Sequence, residues 1–314
     1  MKSGITTLTA LLCAVVLSTP AHASWNDWCR ESKQITQKLP LAGVSLVKLN
    51  ALAGNLEVSD HDSADLNFDG RACSSDKDML KEIDLEVNRD GDVLELTVII
   101  PYDKYDDEHG SLDVDVHMPK DVKIEIRDSS GNIELTGISA TSVNDSSGDI
   151  WIRDNQSDLR IRDSSGDISV RASEGELKIQ DSSGDIDIAN QEGALIIEGD
   201  SSGDIDIDGV SQGVIIEHDS SGEIEIVDIK GGVMIERDSS GSIDISGVEG
   251  DVTIGSDGSG SIDISKVQGK VDIGSDGAGQ IDIADVSQGL SIGRKGSGKI
   301  RTRNVDGKMS IPDM

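Results

Sequence analysis

The chain has 314 residues, a formal net charge of −32, and 35% hydrophobic but only 2% aromatic residues. So acidic a surface repels nucleic acid and anionic lipid headgroups, and it favours cations or basic partners. High charge with few aromatics can signal disorder, but here Ile and Val recur at fixed offsets, as a packed core requires.

Residues 1–23 hold Lys2, an apolar run over 8–17 and the small-residue site Ala21, His22, Ala23 before Ser24. That is the layout of a cleaved secretory signal. Cys13 lies inside the apolar run and follows Leu12, which argues against a lipid anchor. Cleavage removes one lysine and no acid, so the mature charge becomes −33. No later stretch approaches the roughly 18 apolar residues needed to span a bilayer. The expected location is periplasmic, or secreted to the cell surface. Of three cysteines, Cys29 and Cys73 remain. In an oxidising compartment they are expected to form a disulfide contributing about 4 kcal/mol; a reactive or metal-binding thiol pair is the alternative.

Residues 24–41, with Trp25 and Trp28, read as an N-terminal extension capping the open end of a repeat stack. An end rung exposes both apolar side chains and unpaired backbone. Residues 42–125 read as an irregular β part. Gly54-Asn55-Leu56-Glu57-Val58 has the pattern of Gly131-Asn132-Ile133-Glu134-Leu135, and alternation predicts strands over 83–87, 93–100 and 112–118. Asp90-Gly91 signals a hairpin. Asp103, Asp106, Asp107, Glu108 and His109 form an acidic loop whose spacing fits no EF-hand; it reads as solvated, with calcium as the alternative.

Residues 126–314 repeat one sentence of about nineteen residues ten times. Its anchor glycines are Gly131, Gly148, Gly166, Gly184, Gly203, Gly222, Gly241, Gly260, Gly279 and Gly298, spaced 17, 18, 18 and then six times 19. Such a period is read before any local motif. Positions +2 and +4 from each anchor are apolar (Ile205/Ile207, Ile224/Ile226), as are +11 and +13 (Val214/Ile216, Val233/Ile235). A further aliphatic stands at +7 from Val210 onward. Strict alternation predicts short strands, two per turn, each stacking on its copy in the next rung. The expected fold is all-β, a parallel β-solenoid of about ten rungs spanning roughly 45 to 50 Å. A core about 10 Å across leaves no room for stacked rings.

The SSGDI repeats, the LDVDVHMP segment with Pro119 and the GNLEV opening resemble the DUF4097 family, whose label is adhesin, over residues 42–311. The resemblance implies a right-handed single-stranded β-helix and brings no catalytic residues.

Asp128, Asp145, Asp163, Asp181, Asp200, Asp219, Asp238, Asp257 and Asp276 occupy one turn in successive rungs, and Lys295 takes the tenth place. Carboxylates stacked about 5 Å apart repel by roughly 1 to 3 kcal/mol per pair. Turn capping, in which each aspartate accepts backbone N–H bonds, is one compensation. A row of calcium ions is the other, although calcium-roll repeats have nine residues. A second acidic set, Asp187, Asp206, Glu225, Asp244, Asp263 and Asp282, alternates with buried Ile and reads as a solvated face. Paired-carboxylate catalysis needs acids in unlike environments, and these are equivalent copies. His61, His109, His117 and His218 form no local cluster, and the GDGSG and GSGK fragments lack a following helix.

The repetition breaks in two places. The outward position at +12 reads Lys178, Ile196, Ile215, Met234, Thr253, Asp272, Ser291, which puts three apolar residues in a stacked ladder. This is either a contact surface or a patch covered by the N-terminal segment. The last rung is basic, with Arg294, Lys295, Lys299, Arg301, Arg303 and Lys308 against Asp306; it either closes the acidic column or docks an acidic partner. The expected protein is an exported, non-enzymatic adhesin-like interaction scaffold without a cofactor. Its partner would be a protein or envelope component, with self-association possible. The alternatives are a calcium-stabilised solenoid and a polysaccharide-active enzyme.

Overall fold

A computed structural model describes residues 28–105 and 108–312. The signal segment, Trp25, Asp106 and Asp107 lie outside the described residues.

The chain winds into a β-solenoid with two fourteen-stranded sheets facing each other across an Ile/Val/Leu core. The N-terminal part supplies β1 (Glu31–Pro40), β2 (Leu46–Asn50), β3 (Leu56–Asp60), β4 (Asp65–Ser74), α1 (Lys77–Glu82), β5 (Asp84–Asp90), β6 (Val93–Ile99), β7 (Gly110–Met118) and β8 (Lys123–Arg127). The first sheet runs β1-β4-β7-β3 and then through every +2 strand to Ile300–Val305; the second runs β5-β6-β2-β8 and then through the +11 strands to Lys308–Ser310. Spatial order therefore departs from chain order. The rung β2/β3 lies between β6/β7 and the regular repeats, so the chain lays down its second rung, steps back to build the first, and only then climbs. Residues with matching sequence are neighbours in space: Leu56 pairs Ile133 and Val58 pairs Leu135.

From β8 onward every strand pair is parallel, with register shifts only at Ala140/Ser142 and Ile179/Gln180; Ile205 lies beside Ile224 and Ile207 beside Ile226 in one sheet, and Val214 beside Val233 in the other. Alternation explains the fit, because side chains at +2 and +4 share one face of a pleated strand. The anchor glycine is required by close approach. At Gly222 φ is 140°, and a Cβ there would collide with the carbonyl oxygen of Gly203 in the preceding rung. At +6 each rung turns through a left-handed residue, as at Asp154, Ala172, Asn190, Asp228, Lys266, Asp285 and Asn304. This corner swings +7 inward. Position +7 is buried in every rung from Ile138 to Val286, including the polar Asn155, Ser173 and Gln191.

At the N-terminal end β1 pairs antiparallel with β4, and β4 with β7. The apolar closure there comes from Ile35, Phe68 and Met79, all buried. Trp28 is only half-buried and meets His109 edge-on, with ring centroids 5.7 Å apart. Among the described residues of the expected capping segment, the end of the stack is closed by the edge strand β1, with the short helix α1 packed beside it. Asp76 caps that helix, its Oδ1 accepting from the amides of Asp78 and Met79, each at 2.8 Å. Cys29 and Cys73 are disulfide-bonded with Cα atoms 5.6 Å apart. No helix of the described residues is long and apolar enough to cross a membrane.

Candidate functional site

The nine turn aspartates form one column, flanked by Ala51 at the equivalent corner below Asp128 and by Lys295 above Asp276. Each comes at the end of its rung's second strand, where the chain turns toward the next anchor glycine. The turn holds the side chain inward: Ser146 N–H donates to Asp145 Oδ1 at 2.7 Å, and Ser164 and Ser182 donate to Asp163 and Asp181 at the same distance. Turn capping is therefore built in at these corners. The sequence reading did not foresee the depth, since every member from Asp128 to Asp276 is no more than 6% exposed. At Asp128, Asp219, Asp257 and Asp276 neither carboxyl oxygen has a donor, and at Asp145, Asp163, Asp181, Asp200 and Asp238 one oxygen lacks it. Burial, reinforced by neighbouring carboxylates, pushes Asp219 and Asp257 up to about 7. Among the described residues no three His, Cys, Asp or Glu side chains converge as a metal-ligand set.

A second acid row ties the rungs together. Just after each anchor glycine, Asp167 N–H donates to Asp149 Oδ1 at 3.1 Å, Asp185 N–H to Asp167 Oδ1 at 3.0 Å and Asp204 N–H to Asp185 Oδ1 at 2.9 Å. These acids are inter-rung ties, a role that an acid beside glycine in a turn sequence does not announce.

The outer acids of the first sheet line a shallow groove of 870 Å³, with Glu225, Asp244, Asp263 and Asp282 stacked along it and Arg301 and Arg303 at its end. Desolvation and then the charge of stacked neighbours raise Asp206 and Asp263; at Asp244, desolvation is followed by Glu223. Arg301 lies 3.5 Å from Asp282 and Arg303 3.6 Å from Asp285, so two of the final-rung cations fold back onto the acidic face. Farther toward the N-terminus, Trp151 stands 40% exposed in this face. It is flanked in register by Glu134 and Ser169. Its only signal in sequence is an aromatic at +3, where most rungs carry an acid.

The second sheet carries the apolar ladder. Ile196 pairs Ile215 and Ile215 pairs Met234 in adjacent strands. Met234 is 41% exposed and the two isoleucines are half-buried. The described N-terminal strands lie at the far end of the stack, and none covers this ladder.

Two histidines expected to be scattered do meet: His61 and His117 have ring centroids 6.2 Å apart. Ser59 Oγ is 2.7 Å from His117 Nδ1, and Asp115 Oδ1 is 3.4 Å from His117 Nε2. The trio lies half-exposed on strands paired on both sides. His109 instead donates its backbone N–H to Ser75 Oγ at 2.8 Å, pinning the acidic loop.

The Toastrack DUF4097 family profile matches residues 29–209. Among solved structures, the chain is similar to a "putative adhesin" from Bacteroides fragilis, at 14% identity and TM-score 0.30, covering 89% of this chain and 97% of that one. It is also similar to a "putative adhesin" from Parabacteroides merdae, at 14% identity and TM-score 0.32, covering 87% and 96%. A "putative lipid binding protein" from Parabacteroides distasonis has 12% identity and TM-score 0.29, covering 88% and 97%. No curated protein matches.

Proposed function

The chain belongs to the Toastrack DUF4097 family, and from that premise we propose that it is an exported, non-enzymatic scaffold that makes contact through the outer face of its second sheet. The observation that carries this reading is the in-register ladder Ile196–Ile215–Met234. Apolar side chains stacked on an otherwise polar, strongly acidic surface gain by leaving water. A stack of parallel rungs fixes their spacing, so the contact is preorganised and costs little ordering entropy on binding. The partner is a protein or envelope component, with a second copy as the other occupant. The signal-like segment over residues 1–23 supports export.

Ile215→Lys places a charge in the middle of the ladder without touching the core residues Val214 and Ile216. Association with envelope fragments, or self-association, is expected to drop at least tenfold by sedimentation. Unchanged association of a folded Ile215→Lys protein defeats the reading.

A further inference from the structure

Capping explains one oxygen of several turn aspartates and leaves the rest of the column without a partner. Asparagine would accept the same serine amide through Oδ1 and donate through Nδ2 along the stack, at no cost in charge. Nine successive rungs carry aspartate instead. The unpartnered oxygens belong to side chains at least nine-tenths buried and directed into the column. Asp219 stands in register beside Asp238 on the next strand, and Asp257 beside Asp276. Two ionised carboxylates in that position offer only acceptors to each other. A single proton between them turns the contact into a short, charge-assisted O–H···O bond.

The charged groups acting on the column are acids. They are the neighbouring column members together with Asp167 beside Asp181 and Asp185 beside Asp200. Lys295 takes the next place beyond Asp276, and among the described residues no three His, Cys, Asp or Glu side chains gather as a metal-ligand set.

We propose that the column is a proton-binding site, a file of buried aspartates that holds protons shared between successive rungs at neutral pH and thereby makes the solenoid more stable on acidification. Desolvation lifts Asp128, Asp219 and Asp257 to about 7 and Asp163 and Asp200 to about 6. Burial raises Asp238 and Asp276 as well. An unfolded aspartate titrates near 4, so between that pH and about 7 the folded chain holds protons that the unfolded chain has lost. The stabilisation is complete below the unfolded value and disappears as pH rises through 6 to 7.

The test compares the full chain with Asp219→Asn/Asp257→Asn by thermal melting from pH 4 to 9 and by infrared spectroscopy of the protonated carboxyl stretch. The wild-type melting midpoint is expected to fall as pH passes 6 to 7. A protonated-carboxyl band should persist at pH 6, where exposed acids are ionised, and vanish by pH 9. The double variant should melt higher than wild type at pH 8 and show a flatter profile and a weaker band. Absence of the band from wild type at pH 6 overturns the proposal, as does an unchanged pH profile in the variant. So does a pH 6 stability that a chelator removes and calcium restores, which would give the column to a metal ion. Should the variant not fold, the wild-type infrared titration decides.

Discussion

Lys266 occupies the same left-handed corner as Asn190 four rungs earlier, with φ of 57° at the lysine and 56° at the asparagine. Asparagine visits this region readily, whereas a lysine pushes its Cβ toward the following carbonyl at a cost of about 1–2 kcal/mol. Lys266→Gly is therefore expected to stabilise the protein by about 1 kcal/mol, part of the relief being offset by glycine's unfolded-state entropy. Denaturant titration measures it, and a loss of stability would contradict the corner geometry.

Two glycines close in sequence predict opposite behaviour. Gly222→Ala drives a methyl group into the Gly203 carbonyl at positive φ, and a loss of about 3 kcal/mol or more is expected. At Gly199 an added Cβ meets only the His218 carbonyl oxygen, at 3.9 Å. Gly199→Ala should leave stability within about 0.5 kcal/mol. Melting of the two variants side by side checks the contrast.

Ser173 is 2% exposed and its hydroxyl has no hydrogen-bond partner. Later rungs place Val at the same +7 position. Ser173→Val removes a buried unsatisfied group and fills the core with a rung's usual residue, so a gain of about 1–2 kcal/mol is expected by denaturant titration.

The Cys29–Cys73 bridge closes a loop of sequence separation 44 between the start of β1 and the end of β4. Chain-entropy arithmetic gives it about 4 kcal/mol. Because each layer contacts only its neighbours, reduction should act locally. Hydrogen exchange is expected to accelerate over Glu31–Pro40 and to stay slow in strands such as Ile243–Val248.

The rung architecture was legible because Ile and Val at +2, +4, +11 and +13 face a core on both sides, so burial writes itself into composition. The +6 corner was not, since its requirement is a backbone angle that Gly, Asn, Asp, Ala172 and Lys266 all satisfy. Inward +7 positions were visible only where they are aliphatic; Asn155 is concealed by polarity and is held by accepting from the Ala140 amide at 2.8 Å. β1 looks like a polar extension because, as an edge strand, it buries only Ile35. The nine aspartates were placed in one turn of successive rungs from sequence, and serine amides do cap Asp145, Asp163 and Asp181, but their depth of burial was not legible, because direction relative to the core leaves no compositional trace. Trp151 and the meeting of His61 with His117 depend on strand pairing across the stack.

The hydrogen bonds joining successive rungs all run along the long axis, as from Ile205 N–H to the Glu223 carbonyl and from Ile224 N–H to the Ser242 carbonyl. Tension applied through the strand Ile300–Val305 loads one rung's bonds at a time and peels the stack like tape. Each detached nineteen-residue repeat releases about 65 Å of chain. The opposite end is cross-linked by Cys29 and Cys73, so yielding starts at the basic rung and proceeds toward the disulfide. Under load, the six nineteen-residue spacings would lengthen the chain in steps of one size.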